Sequence, residues 1–458
     1  MKRQALLWGL LGAMIAACSS DGDGSSLGTN GVDGGGGTDA NADVKADADG
    51  NADSDAGSDA DEQSDTGQSD TGQSDTGTAC IPLTCGDTVG VLGEIDDGCG
   101  GKITCPTCPS PMTLGTNGVC ECNLPNCKIL CDGDAYEDFD SIPFSLDGGD
   151  SGVVIRNCTF RNANRGAVII QGATDVLIQD CHFESLRSGQ PGIDLHAINI
   201  PSKGNRVTIR GNTFVDIGAD GVQMGHAGGD IGDIYILDNH FYVTNADVGE
   251  NGVDVKTTTG PIVVAGNTFH GFRPCDGDTQ DCSGAIGEGM VVHKGATGVT
   301  VTRNVFYDNT IGLSLGWGTT QQPPVDARVI NNFFYDNKTR GLGLNHVHSI
   351  EIAHNTFIAN GDHHLGITGT PTTGGTCSNV NNLFVGSGTA DSDCNAVGNL
   401  QLTASEAAFV DVAARNLHLT AASAAVNAGE PLSSVGFDFD GHPRPVGSGP
   451  DVGADELE

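Results

Sequence analysis

The chain has 458 residues, with 59 acidic against 21 basic side chains and a formal net charge of −38. Hydrophobic residues make up 37%, aromatics 5%, and 69 positions are Gly, which is too little apolar surface and too much glycine for a helical globular protein. So negative a balance excludes a nucleic-acid partner, which needs a basic footprint, and no run beyond the N-terminus approaches the length of a membrane span.

Lys2 and Arg3 precede an apolar stretch over residues 5–17, and Cys18 follows. A basic head, a short apolar core and small residues before a cut site mark a secretory signal, too short for a membrane helix. The end of that stretch, Ile15-Ala16-Ala17-Cys18, resembles the lipobox of bacterial lipoproteins. The resemblance implies that residues 1–17 are removed and that Cys18 is lipidated. With Ser19 next, it also implies an exported protein whose lipid is its sole membrane contact, at the outer membrane or cell surface. Residues 18–79 hold almost no large apolar side chains and end in three copies of Gln-Ser-Asp-Thr-Gly at residues 63–77. Such a segment cannot offset its ordering entropy, and like charges extend it, so it reads as a disordered acidic tether.

Residues 80–131 are dense in cysteine: Cys80, Cys85, Cys99, Cys105, Cys108, Cys120, Cys122, Cys127 and Cys131. A short exported segment with so little core needs disulfides. Nine is odd, so one Cys pairs outside the segment or stays free. Cys80-Ile81-Pro82-Leu83-Thr84-Cys85, Asp97-Gly98-Cys99-Gly100-Gly101 and Cys105-Pro106-Thr107-Cys108 together resemble a small module of myxobacterial surface lipoproteins.

A repeat fills the remainder. A polar-Asn-x-Phe pattern recurs, as in Gly211-Asn212-Thr213-Phe214, Gly266-Asn267-Thr268-Phe269 and His354-Asn355-Thr356-Phe357, and from Phe160 the Phe-to-Phe steps are 23, 31, 27, 28, 37, 28, 23 and 27 residues. A Gly-led alternating segment and a Val-Thr-Ile-type segment precede each Asn, so each repeat predicts three short strands. One such turn cannot bury its apolar face, whereas stacked turns can. The expected fold is therefore all-β: a right-handed parallel β-helix over residues 132–425, with rungs about 4.8 Å apart. Asn should form an internal ladder and Phe a stack. Cys158 and Cys181 replace Asn on neighbouring rungs, which predicts a disulfide between them.

Residues 136–458 resemble the pectate-lyase-like superfamily of bacterial surface proteins. The end, with Asp438-Phe439-Asp440-Gly441-His442-Pro443-Arg444-Pro445 and Asp451-Val452-Gly453-Ala454-Asp455-Glu456, resembles the closing segment of many of them. It is expected to form a cap at residues 426–458 over the open end of the solenoid.

Aligning the Gly-led strands on Gly192, Gly221, Gly252, Gly289, Gly312 and Gly341 puts apolar residues one and three places later, facing inward. Residues two and four later face outward, because side chains alternate along a strand. The outward columns bring together Asp194, His196, Gln223, Asp254, Lys256 and His293, with Asp220 and Glu288 just before their glycines and Lys294 and Trp317 at the edges. The longest repeat inserts residues 273–286, in which Cys275 and Cys282 are expected to close a loop, with Arg273 at its start. An outward β-helix face is polar by default, but mixed charge with two His beside long loops points to a groove that engages a polysaccharide or surface glycan. Lyases of the superfamily need a cation on a uronate carboxylate and a Lys or Arg to take the neighbouring C–H proton. That resemblance makes Asp194, Asp220, Asp254 and Glu288 candidate Ca2+ ligands and Lys256 the candidate base, with His293 and His196 as its catalytic partners. Gln223, Lys294, Trp317 and Arg273 are candidate substrate contacts. Two alternatives stay open: a non-enzymatic glycan-binding or adhesion lipoprotein, and an inverting hydrolase built on paired carboxylates.

Overall fold

A computed structural model describes residues 127–458, apart from 190–192, 246–247, 275–285, 294, 318–322, 370–372 and 392–393. It also describes four short strands, Gly93–Asp96, Lys102–Cys105, Thr113–Leu114 and Cys120–Glu121, paired antiparallel as two hairpins. The expected signal, tether, lipidated Cys18 and Cys275–Cys282 loop lie outside the described residues.

Three parallel sheets of 10, 11 and 11 strands wind into a right-handed β-solenoid. One rung runs, for example, from Asn251–Val255 in the first sheet to Ile262–Ala265 in the second and Thr268–His270 in the third. The ladder begins with Lys128–Asp132, four residues before the expected start, and ends at Leu400–Leu402. Among the described residues, no helix is long and apolar enough to cross a membrane.

Two internal stacks hold the rungs in register. Phe160, Phe183, Phe214, Phe241, Phe269, Phe306, Phe334, Phe357 and Phe384 stack with centroids 4.5–5.2 Å apart. The expected Asn ladder forms between the second and third sheets. From Asn212 through Asn239, Asn267, Asn304, Asn332, Asn355 and Asn382, each backbone N–H donates to the next side-chain oxygen at 2.8–2.9 Å. Their side-chain amides donate to carbonyls of the preceding rung, so these buried polar groups are satisfied. A second ladder, Asn309–Asn337–Asn360, turns the chain from the third sheet back to the first.

The expected Cys158–Cys181 disulfide does not form. Cys158 pairs with Cys131, and Cys181 is a buried free thiol. Cys131 enters the core one rung earlier, at a register irregularity, and takes the only bond Cys158 can make. Cys181 instead substitutes for Asn in the ladder: its sulfur accepts the Cys158 N–H at 3.4 Å, and its own N–H donates to Asn212 Oδ1 at 2.8 Å. A further disulfide, Cys377–Cys394, staples the last rungs.

The closing segment covers a flank of the solenoid. Leu417, Leu419, Ala425, Val452 and Ala454 form one buried cluster with Phe333, Tyr335, Ile358, Leu383 and Val385, which flank the stacked Phe residues on the outer face of the third sheet. Buried Arg444 holds the segment together, donating to Glu456 at 2.8 Å and to the Gly453 carbonyl at 2.8 Å.

Candidate functional site

The strands of the first sheet place the predicted polar residues. Gln223 pairs in register with Asp254, Asp254 with Val291, and Val291 with Ser314, so these share one outward column. Asp220, Asn251 and Glu288 form a second column just before the glycines. The glycines are needed here because the Phe stack lies against them: a Cβ on Gly252 would sit 2.6 Å from Phe269, and one on Gly221 2.7 Å from Phe241. The Gln223 amide lies 3.2 Å from Asp220, so the polar residue before the glycine shares the face of the outward column.

One rung departs from the expected alignment. Ala197, not Gly192, stands at the glycine position, and Asn199 pairs with Gln223. His196 therefore lies beside Asp220 instead of in the column of Lys256 and His293, and Asp194 is exposed at the rim. Gly192 misleads because Pro191-Gly192-Ile193-Asp194-Leu195 imitates the motif five residues early.

The assembled cluster is buried despite facing outward: Asp220 is 0%, Asp254 2%, Glu288 4% and Gln223 5% exposed. Asp254 is held by Lys256 Nζ at 3.1 Å on Oδ2 and by His293 Nε2 at 3.2 Å from Oδ1. The Gln223 amide reaches Asp220 at 3.2 Å and Asp254 at 3.5 Å, linking the two carboxyls. Asn251 donates to Asp220 Oδ1 at 2.9 Å, and Ser314 to Glu288 at 3.5 Å. Glu250, absent from the sequence expectation, belongs to the same field: burial, then Asp220, Asp254 and Asp194, push its carboxyl well up.

Protonation follows from this crowding. Burial and the Asp254 charge hold Asp220 well above the usual carboxylate range, and burial pushes His196 down to about 4. His196 Nδ1 accepts the Asp220 backbone N–H at 3.4 Å and lies 3.0 Å from Asp220 Oδ2. Burial lifts Glu288 to about 7. Burial opposes the Lys256 charge, but Asp254 and Asp220 outweigh it and raise its pKa, so Lys256 is cationic at neutral pH.

The donor set suits a hard cation in kind. Asn251 Oδ1 is a buried oxygen left without a hydrogen bond, among several carboxyls and one lysine. Yet no three of Asp194, Asp220, Asp254 and Glu288 bring ligand atoms within 4.8 Å of one another. Among the described residues the groups that do so lie in the closing segment. Of the expected substrate contacts, Arg273 turns away to Asp308, with Nη2 2.5 Å from Oδ1. Trp317 ends the strand Ile311–Trp317 opposite His293, and Lys294 lies outside the described residues.

Fold and site together define a parallel β-solenoid bearing a buried ionisable cluster on one sheet face. The chain belongs to the right-handed beta helix family, whose signature, described as a right handed beta helix region, matches residues 144–403. Comparison with curated proteins gives no match. Similar solved structures include pectate lyase Pel9A, 14% identical, covering 69% of this chain and 97% of that one at a TM-score of 0.43. The Streptococcus pneumoniae surface adhesin PfbA is 15% identical over 52% of this chain and 71% of its own, TM-score 0.29. The A-module of the Azotobacter vinelandii mannuronan C-5 epimerase AlgE6 is 14% identical over 60% and 80%, TM-score 0.30. At these identities the likeness is one of fold.

Proposed function

We propose that the protein is an exported, lipid-anchored carbohydrate-active protein that cleaves uronate polymers by calcium-assisted β-elimination on the first-sheet face. The observation that carries this reading is the cluster around Asp254, where buried carboxyls outnumber the single lysine and the buried Asn251 Oδ1 lacks a hydrogen bond. Asp254, Asp220 and Asn251, with Glu250 beside them, would hold the ion, while Asp194 and Glu288 flank it. Bound there, calcium supplies a counter-charge for the uronate carboxylate, which acidifies the adjacent C–H. Lys256 is the base. Asp254 and Asp220 hold its proton, so it becomes competent when their charge is engaged elsewhere. His293 and His196 fix the two carboxyls, Gln223 couples them, and Lys294 and Trp317 are the proposed substrate contacts.

The ion pair that keeps Lys256 protonated favours a second reading: a non-enzymatic glycan binder in which Lys256 contacts an acidic sugar directly. The test incubates the full mature chain with a panel of uronate polymers, with calcium or with chelator, and follows the ultraviolet absorbance of unsaturated products. Calcium-dependent product supports the lyase. Polymer binding without product, from folded protein, sinks it and leaves the binder.

A further inference from the structure

The first-sheet face continues beyond the carboxyl cluster to a second charged group. Its outward column runs in register through Asp254, Val291, Ser314, Gly343 and Gly366, and the neighbouring column through Asn251, Glu288, Ile311, Arg340 and His363. Along the outward column the side chains shrink: Val291 and Ser314 are buried, and the two positions after them carry none. Arg340 lies over the room they leave. A Cβ on Gly366 would meet Arg340 Cδ and Nε at 3.1 Å and Cζ at 3.5 Å, and one on Gly343 would meet Cδ at 3.7 Å and Nη1 at 3.9 Å.

Two observations set Arg340 apart from an ordinary surface arginine. In this acidic chain Arg156, Arg161, Arg206 and Arg328 each meet a carboxylate, whereas among the described residues the Arg340 side chain has neither a hydrogen bond nor an ion pair. It nevertheless does not extend into solvent. The side chain is laid across two rungs on buried glycines, and is itself partly exposed. Laying it down there removes rotamer freedom before any ligand arrives, which lowers the cost of binding. A planar, permanently charged fork held in this way suits a carboxylate, which it meets through paired N–H donors.

We infer that Arg340 is a distal contact for an acidic polysaccharide lying along the solenoid axis, where it receives a uronate carboxylate three to four rungs, roughly 14–19 Å, from Asp254. The inference rests on the uronate-polymer reading of the Asp254 face, and adds to it the direction of the bound chain and a minimum length. One sugar of an extended uronate chain advances by nearly one rung. Asp254 and Arg340 therefore engage the same polymer only when it is several sugars long, and the face selects long chains over short ones. The buried Val291 and Ser314 form the floor between the two contacts.

Binding of dimers and hexamers prepared from pectate and from alginate would be measured in calcium by calorimetry, on the full mature chain and on its Lys256→Ala form, which is not expected to cleave them. The hexamer should bind more tightly than the dimer. Arg340→Ala should weaken hexamer binding by about 10- to 100-fold, the size of a hydrogen bond to a charged group, and leave the dimer unchanged. Gly366→Ala keeps the charge but presses a methyl against Arg340 Nε, and should weaken the hexamer in the same selective way. Arg340→Lys should recover only part of the affinity, because lysine lacks the planar fork. Arg206→Ala, which removes the same charge from the second sheet, should change neither oligomer. Circular dichroism should be retained throughout. A preference for the hexamer that survives both Arg340→Ala and Gly366→Ala overturns the inference and leaves the Asp254 site standing. Absence of oligomer binding in both forms of the parent chain overturns the uronate reading as well.

Discussion

Among single residues, titration tells most about the site. Glu288 is raised to about 7 by burial, so the folded protein binds a proton there that the unfolded chain has lost above its ordinary value. The sign is that of a raised acid: stability falls as pH climbs from about 4.5 through 7 and levels off above. Glu288→Gln should flatten this slope, adding up to about 3 kcal/mol at pH 8 and little at pH 4, as read by urea denaturation at both pH values. Glu288→Gln less stable than the parent at pH 8 would contradict the protonation described. Cys181 provides a second check. Burial pushes its thiol up to about 12, so it should resist thiol reagents until the protein unfolds. Most site residues were legible one by one, because Asp and Lys in a strand that otherwise alternates apolar and small residues stand out. Glu250 was missed because it lies one place outside the Gly-led pattern, and no repeat marks it.

Within each rung, close approach to the Phe stack decides what fits. Gly252→Ala would drive a methyl to within 2.6 Å of Phe269 and 2.8 Å of the Gly289 carbonyl. It should cost about 1–3 kcal/mol, a loss visible as a lowered denaturation midpoint. Asn304→Ala removes a side chain that donates to the Val264 and Thr302 carbonyls and accepts the Asn267 N–H. Its loss should cost about 2–4 kcal/mol, since buried groups on both sides go unpaired. The Asn-x-Phe repeat made the rungs readable because ladder and stack impose one residue type at one place in every turn. Where that identity lapses, so does legibility. Ala197 at a glycine position left His196 and Asp194 assigned to the wrong columns, and Cys at two Asn positions suggested a bond that Cys131 pre-empts. The Asn309–Asn337–Asn360 ladder was equally visible in sequence, but Asp308-Asn309-Thr310, Asp336-Asn337-Lys338 and Ala359-Asn360-Gly361 look like ordinary loops.

Taken whole, the molecule is asymmetric around its axis. The outer face of the third sheet changes along the solenoid, from Thr159-Phe160-Arg161 and His182-Phe183-Glu184 to Phe333-Phe334-Tyr335 and Leu383-Phe384-Val385. The later rungs are apolar on both sides because residues 417–454 cover them. Deleting residues 426–458 should expose this face and cause aggregation, measured by light scattering, while deleting residues 18–79 should not. The first sheet keeps its carboxyls and Lys256 together on a separate side, and the account stands on what that lysine does. Its most direct test compares the parent protein with Lys256→Ala on a uronate polymer in calcium, by the rate of unsaturated product formation. The account predicts steady product from the parent and at least a roughly 100-fold loss in Lys256→Ala, the low end of general-base contributions, with circular dichroism and polymer binding retained. Equal rates in the two proteins would contradict it.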